Sequence, residues 1–189
     1  RYAIILRAAG SSVRYGANKL LEETGGMPMY QHMLKALSTF PALHRIVVSR
    51  YPEILEDAER LGMQAVVNRQ PALGISHSLI LGLQEAIAEN TDLKGVLFAV
   101  CDQPGLKADT ISRLLRKAQE NPGKIVCAGR KGRPGNPVVW DQRYFKELLG
   151  LAGDTGGRQV MKNYPGDILV LETAEGELWD IDRKEDMTQ

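Results

Sequence analysis

A chain of 189 residues, 43% apolar and 25% charged, has room for one full hydrophobic core and the composition of an ordinary water-soluble domain. A formal net charge of +1 excludes a global pull toward nucleic acid or an anionic membrane, so any electrostatic function has to be local. Two cysteines, Cys101 and Cys127, lie far apart in apolar stretches, which excludes a disulfide framework and fits buried thiols in a reducing compartment. With no signal peptide and no apolar run of about 20 residues, a cytoplasmic protein is expected. The chain opens on Arg1 rather than Met, which leaves room for a preceding segment or domain.

Short runs rich in Val, Ile and Leu predict strands over Tyr2–Arg7, Arg45–Ser49, Gln64–Val67 and Gly95–Cys101. Helical spacing falls between them. Pro28 suits the first position of a helix in which Met29, Met33, Leu34 and Leu37 share a face. "PEILEDAERLG" gathers Ile54, Leu55, Ala58 and Leu61 on one side and stops at Gly62. "SHSLILGLQEAIAEN" and "KADTISRLLRKAQEN" repeat the pattern. This alternation predicts an α/β fold, a mostly parallel central sheet with helices on both faces.

After Asn121 the rhythm loosens. "KIVCAG" and "NPVVW" read as strands around a cationic loop, "GRKGRPGN", whose Arg130, Lys131 and Arg133 suit recognition of a second anionic substrate. A short helix near Gln142–Leu149 and a last strand near Asp167–Leu171 follow. The tail from Glu172 to Asp186 carries seven carboxylates against Arg183 and Lys184. No internal repeat or long linker breaks the chain. We expect one domain over 1–189, with a nucleotide-binding part over 1–121 and an acceptor-binding part over 122–189.

The chemistry concentrates at the first strand's end. "AIILRAAGSSVRYGANKLL" joins an apolar run to a glycine- and serine-containing loop with Arg14 and Lys19 in it, and no acidic residue occurs in the first 21 positions. Ligands of open α/β sheets sit beyond the carboxyl ends of strands. Glycines there let backbone N–H groups approach an anion, and Arg14 and Lys19 add charge, so the loop suits a polyphosphate. Its spacing is neither a P-loop nor a GxGxxG turn. "GVLFAVCDQP" ends another strand on Asp102, a carboxylate able to hold Mg2+ against phosphate oxygens, or simply to start a turn. "NRQPALGISHSL" brings Asn68, Gly74, Ser76 and Ser78 to a helix start, where a hydroxyl either caps the helix or meets a ligand.

Taken in order, these segments resemble the molybdenum cofactor cytidylyltransferase-like family of MobA-like NTP transferases. Ala8, Ala9, Gly10, Ser12, Arg14, Gly16 and Lys19 fall on its L-A-A-G-x-S-x-R-x-G-x-x-K signature, with Arg7 in place of the leucine. "GGMPMYQHML", "GISHSLILGL", "CDQP", "GRPGNPVVW", "GDTGGR" and "DIDRKED" resemble further family segments. The resemblance implies a Rossmann-like nucleotidyltransferase fold and Mg2+-dependent transfer from a nucleoside triphosphate. It implies catalytic Arg14, Lys19 and Asp102, with Mg2+ on Asp102 and Asp182, Asp180 being the second choice for the latter. It places the nucleotide on Ala8, Ala9, Gly10, Ser12, Gly16, Asn68, Gly74, Ser76, Ser78, Gln103 and Pro104. Ala8-Ala9-Gly10 and Asp102-Gln103-Pro104 lean toward CTP, and the family toward molybdopterin as acceptor with a molybdoenzyme as client. GTP, a sugar or alcohol phosphate acceptor, and a non-catalytic molybdopterin carrier remain as alternatives.

Overall fold

The structure, a computed structural model, describes residues 1–9 and 18–180. Its centre is a seven-stranded sheet. The strands are β1 (Tyr2–Ala8), β4 (His44–Ser49), β5 (Gln64–Val67), β6 (Gly95–Val100), β7 (Ile125–Arg130), β8 (Arg133–Asp141) and β9 (Ile168–Glu172). They lie in the order β5-β4-β1-β6-β8-β7-β9, and β8 alone runs against its neighbours. A small hairpin of β2 (Glu23–Thr24) and β3 (Met27–Pro28) precedes the first helix.

Strand alternation explains the two cores. Along β1, Ile4, Leu6 and Ala8 face one side, where they meet α1 (Met29–Leu37), α2 (Pro52–Arg60) and α4 (Ala108–Glu120). Ala3 and Ile5 face the other, toward α3 (Ile75–Glu89), α5 (Phe145–Leu149) and α6 (Arg158–Met161). A strand covered on both faces needs apolar residues at every position, which is why the first strand reads as an unbroken run. Both cysteines are buried free thiols; burial, with Asp102 adding to it, pushes the Cys101 thiol up and keeps it unreactive. Among the described residues no helix is long and apolar enough to cross a membrane.

The parallel α/β architecture stands as expected, and two local expectations change. Pro28 is the N-cap rather than the first residue of α1. The cationic "GRKGRPGN" stretch is not an open loop: β7 runs through Arg130 and β8 starts at Arg133, leaving Lys131 and Gly132 as a two-residue hairpin turn. Both adopt positive φ, 52° and 73°, which matches the twist of the flanking strands. Glu172 accepts hydrogen bonds from the backbone N–H of Lys131 and Gly132, which fixes this tip against β9. The acidic tail is partly structural. Glu177, 4% exposed, accepts from the Lys107 N–H and the Thr110 hydroxyl at the start of α4 and from the Ala174 N–H.

The second core closes on an aromatic and ionic cluster. Trp140 meets Tyr144 edge-on, and Tyr144 meets Tyr164. The Tyr144 hydroxyl donates to Asp167 Oδ2 at 2.7 Å, and Lys124 Nζ lies 3.2 Å from Oδ1. The Tyr144 hydrogen bond first, then Lys124, holds the Asp167 carboxyl below its ordinary value. A depressed carboxyl contributes stability that is complete above its unfolded value of about 4 and disappears as pH falls through the lower folded value. Asp167→Asn is therefore expected to flatten the acid side of the stability curve, read as urea midpoints between about pH 2 and 7; an unchanged acid slope contradicts this assignment.

Candidate active site

The chain leaves β1 toward β4 and β5 on one side, then crosses back through α3 to place β6 on the other. Strand order therefore reverses between β1 and β6, and a crevice opens beyond the carboxyl ends of strands at such a point. β1 ends at Ala8, whose carbonyl accepts from the Ser49 hydroxyl at 2.7 Å, and the half-buried Ala9 follows. β6 ends at Val100, immediately before Cys101 and Asp102.

Lys19 returns to this edge. Asn18 caps a short 3-10 turn, Lys19–Leu21, its side-chain oxygen accepting from the Leu20 N–H. Lys19 is 6% exposed, and its Nζ lies 3.0 Å from Asp102 Oδ2. The pair joins the end of the cationic segment to the end of β6, 83 positions apart in the chain. Arg14, Gly10, Ser12, Gly16 and Asp182 lie outside the described residues. No group of three or more His, Cys, Asp or Glu side chains suited to a metal occurs among the described residues. Asp102, only partly buried, suits the mode in which Mg2+ takes one protein carboxylate and completes its shell with phosphate oxygens and water.

The second wall is made by two loops locked together. Gly74 precedes α3 at φ +87°, and a Cβ built there would lie 2.7 Å from the Gly153 carbonyl oxygen and 2.8 Å from the Asp154 backbone. Only glycine allows this approach. The Ser76 hydroxyl donates to the Gly153 carbonyl at 2.7 Å, and Asp154 Oδ1 accepts from the Ile75 N–H. Asp154 thus caps α3 from 79 positions away, whereas the sequence offered a nearby hydroxyl either for this task or for a ligand; the N-cap residue, Gly74, has no side chain to do it. Ser78 is buried, with its hydroxyl accepting from Asn68 Nδ2 at 3.1 Å, while Asn68 Oδ1 accepts from the Gln70 N–H.

Gln103 is 2% exposed, and its Nε2 donates to the Asn136 carbonyl at 3.2 Å. It braces the start of β8, while its Oε1 is buried without a partner among the described residues; Pro104 follows, half-buried. Sequence reasoning did not reach Asp154 or Glu177 as helix caps, because each acts on a helix far away in the chain. Nor did it give a role to Arg7, which the structure places beside this crevice on the α3 side.

An open parallel sheet with a charged pair at its switch point is the architecture of a nucleotide-handling α/β enzyme. The family description "MobA-like NTP transferase domain" matches residues 3–168, and the chain belongs to this family of nucleotidyltransferases. Purine catabolism protein PucB of Bacillus subtilis (strain 168) is 28% identical over 197 residues, spanning 96% of this chain and 92% of PucB. Phosphoenolpyruvate guanylyltransferase of Sphaerobacter thermophilus is 33% identical over 164 residues, spanning 86% of this chain and 77% of that one. A solved nucleotidyl transferase from Methanothermobacter thermautotroptrophicus shares the fold with a TM-score of 0.81 at 21% identity, covering 99% of this chain and 94% of that one.

The interlock of the two loops predicts that Gly74→Ala lowers stability by about 2 kcal/mol, through overpacking and a disfavoured positive φ. Urea denaturation measures it, and a midpoint equal to the wild type would mean that the loops do not meet.

Proposed function

We propose that this chain transfers a nucleoside monophosphate from a triphosphate to a phosphorylated acceptor, with CTP as the donor and molybdopterin as the acceptor favoured by the family signature. The observation that carries the reading is the contact between Lys19 and Asp102 at the switch-point crevice. It unites a cation suited to phosphate with a carboxylate suited to the metal that accompanies phosphate.

The triphosphate lies on the segment from Ala8 to Lys19, with Arg14 and Lys19 neutralising its charge. Mg2+ held by Asp102, with Asp182 as a second ligand, would supply further charge neutralisation at the phosphates. Lys19 and Asp102 hold each other in place, and a bound triphosphate adds a further anion beside Lys19. Asn68, Ser76, Ser78 and Gly74 shape the side that receives the base or ribose, and Gln103 and Pro104 fix the loop after β6. A terminal phosphate oxygen of the acceptor bonds to the α-phosphorus as the bond to the β-phosphate oxygen breaks. Pyrophosphate leaves with the bonding electrons. A phosphate dianion has no proton to surrender, so this step needs no protein base, and positioning with charge stabilisation accounts for acceleration.

A second donor reading has its own support: the relative named phosphoenolpyruvate guanylyltransferase favours GTP. Pyrophosphate release measured with CTP or GTP, Mg2+ and molybdopterin separates these readings. CTP is expected to give the higher kcat/KM; a preference for GTP transfers the proposal to a guanylyltransferase. No release with any phosphorylated acceptor favours a carrier. Lys19→Ala and Asp102→Asn are each expected to lower turnover about 100-fold or more, the scale of losing one charge-stabilising group. Full activity in either variant overturns the assignment.

A further inference from the structure

Arg7 is the one charged residue of β1. Following Ala3 and Ile5 along the strand, it faces the α3 side, where a cavity of about 260 Å³ lies against the sheet. Strand register sorts this wall into rows. Arg7 stands beside Val100 at the carboxyl edge, Ile5 beside Phe98 and Val138 below it, and Trp140 deeper still. The cavity therefore has a polar mouth and an apolar floor. Its mouth reaches Val100, just before Cys101 and Asp102, so a molecule seated in it extends to the transfer crevice.

The charges at this cavity are already met. Asp102 and Asp154 act on Arg7 through space and favour its charged form, while Arg158, the other lining arginine, is exposed to water. No ion from outside is required, and one stripped of water against the apolar floor would be costly. Hydrogen-bonding capacity is what remains open. Arg7 Nε is packed out of reach of water, which fixes the guanidinium, and the terminal N–H groups form no hydrogen bond or ion pair among the described residues. The Ser78 hydroxyl accepts from Asn68, and its own hydrogen has no acceptor among the described residues. The Asn136 side-chain amide, also lining the cavity, has no partner among them either. Three groups able to donate thus meet an uncharged demand for acceptors. Below them, Phe98 and Trp140 offer flat apolar surfaces. Gly157 presses so closely on Trp140 that a Cβ there would lie 2.4 Å from the indole ring, which holds the ring in place. The volume is just under the roughly 300–1,000 Å³ of sites for drug-sized ligands and suits one fused pair of rings.

We propose that this cavity receives the end of the acceptor remote from its reacting phosphate, an uncharged fused heterocycle, and that Arg7 selects it by donating a hydrogen bond to a ring carbonyl oxygen. The acceptor role rests on the transferase reading above; the heterocycle site itself does not. The probes are pterin and its diamino analogue, in which an amino group replaces the ring carbonyl, titrated calorimetrically into wild type and Arg7→Leu. Wild type is expected to bind the carbonyl form at least about tenfold more tightly, because the analogue sets a donor against a donor. Arg7→Leu is expected to bind both alike. A neutral partner makes no ion pair, so raising NaCl from about 50 to about 500 mM is expected to change the wild-type affinity less than about twofold. Equal binding of the two probes by wild type, binding of neither, a preference surviving in Arg7→Leu, or a large loss of affinity in salt each overturns the proposal. If Arg7→Leu does not fold, Arg7→Gln decides: it keeps an N–H donor without the charge, so a retained carbonyl preference supports the proposal and a lost one overturns it. Wild-type binding of CTP and GTP with Mg2+ is measured separately. Its failure with the carbonyl preference intact sinks the transferase reading alone, and the reverse result sinks this proposal alone.

Discussion

A lysine and a carboxylate 3.0 Å apart hold the carboxyl edge of the sheet together, and the candidate site depends on them. Lys19 is nearly excluded from water, so Asp102 supplies the opposite charge that a buried ammonium requires. Their contact spans the junction where strand order reverses between β1 and β6. The same geometry that satisfies a buried charge also gathers the two groups proposed above for a triphosphate and its metal. Structural and chemical demands coincide at one pair of side chains.

The later part of the chain supports this edge from both sides. Asp154 caps α3, which carries Ser76 and Ser78, and Glu177 caps α4, which follows the Asp102 loop. Neither helix obtains a side-chain cap from its own N-cap residue. Each instead takes a carboxylate from a distant segment, so local helix order depends on tertiary closure. The irregular C-terminal third thus acts on both helices flanking the candidate site, in addition to any contact with a second substrate.

Legibility followed the range of the interactions. β1, β4, β5 and β6 and the helices between them were readable because apolar periodicity and glycine or proline stops are local signals, and Asp102 stood out as a carboxylate ending an apolar strand. The Lys131-Gly132 turn was hidden by its charges: arginines and lysines among glycines suggest a solvated loop, whereas β7 and β8 pair almost to the tip. Asp154 and Glu177 carry no local sign of the helices they cap. Arg7 was visible as a departure from the family signature, but nothing in sequence says that its strand face opens on a cavity.

The reversal of β8 has a consequence for how this wall can vary. Running opposite to β6, it presents its beginning, not its end, at the carboxyl edge, where Pro134, Gly135 and Asn136 border a cavity on the α3 side of the sheet. Elsewhere that edge is built by loops after strands, which tolerate insertions and changes in length. Here the lining lies where β8 bulges: its pairing with β7 breaks between Gly129–Pro134 and Cys127–Val138, and Gly135, Asn136 and Pro137 stand out of the ladder. Diversification on this side therefore has a backbone route as well as a side-chain one, because the bulge absorbs extra residues while the pairs beyond it keep Val138 and Trp140 on their face.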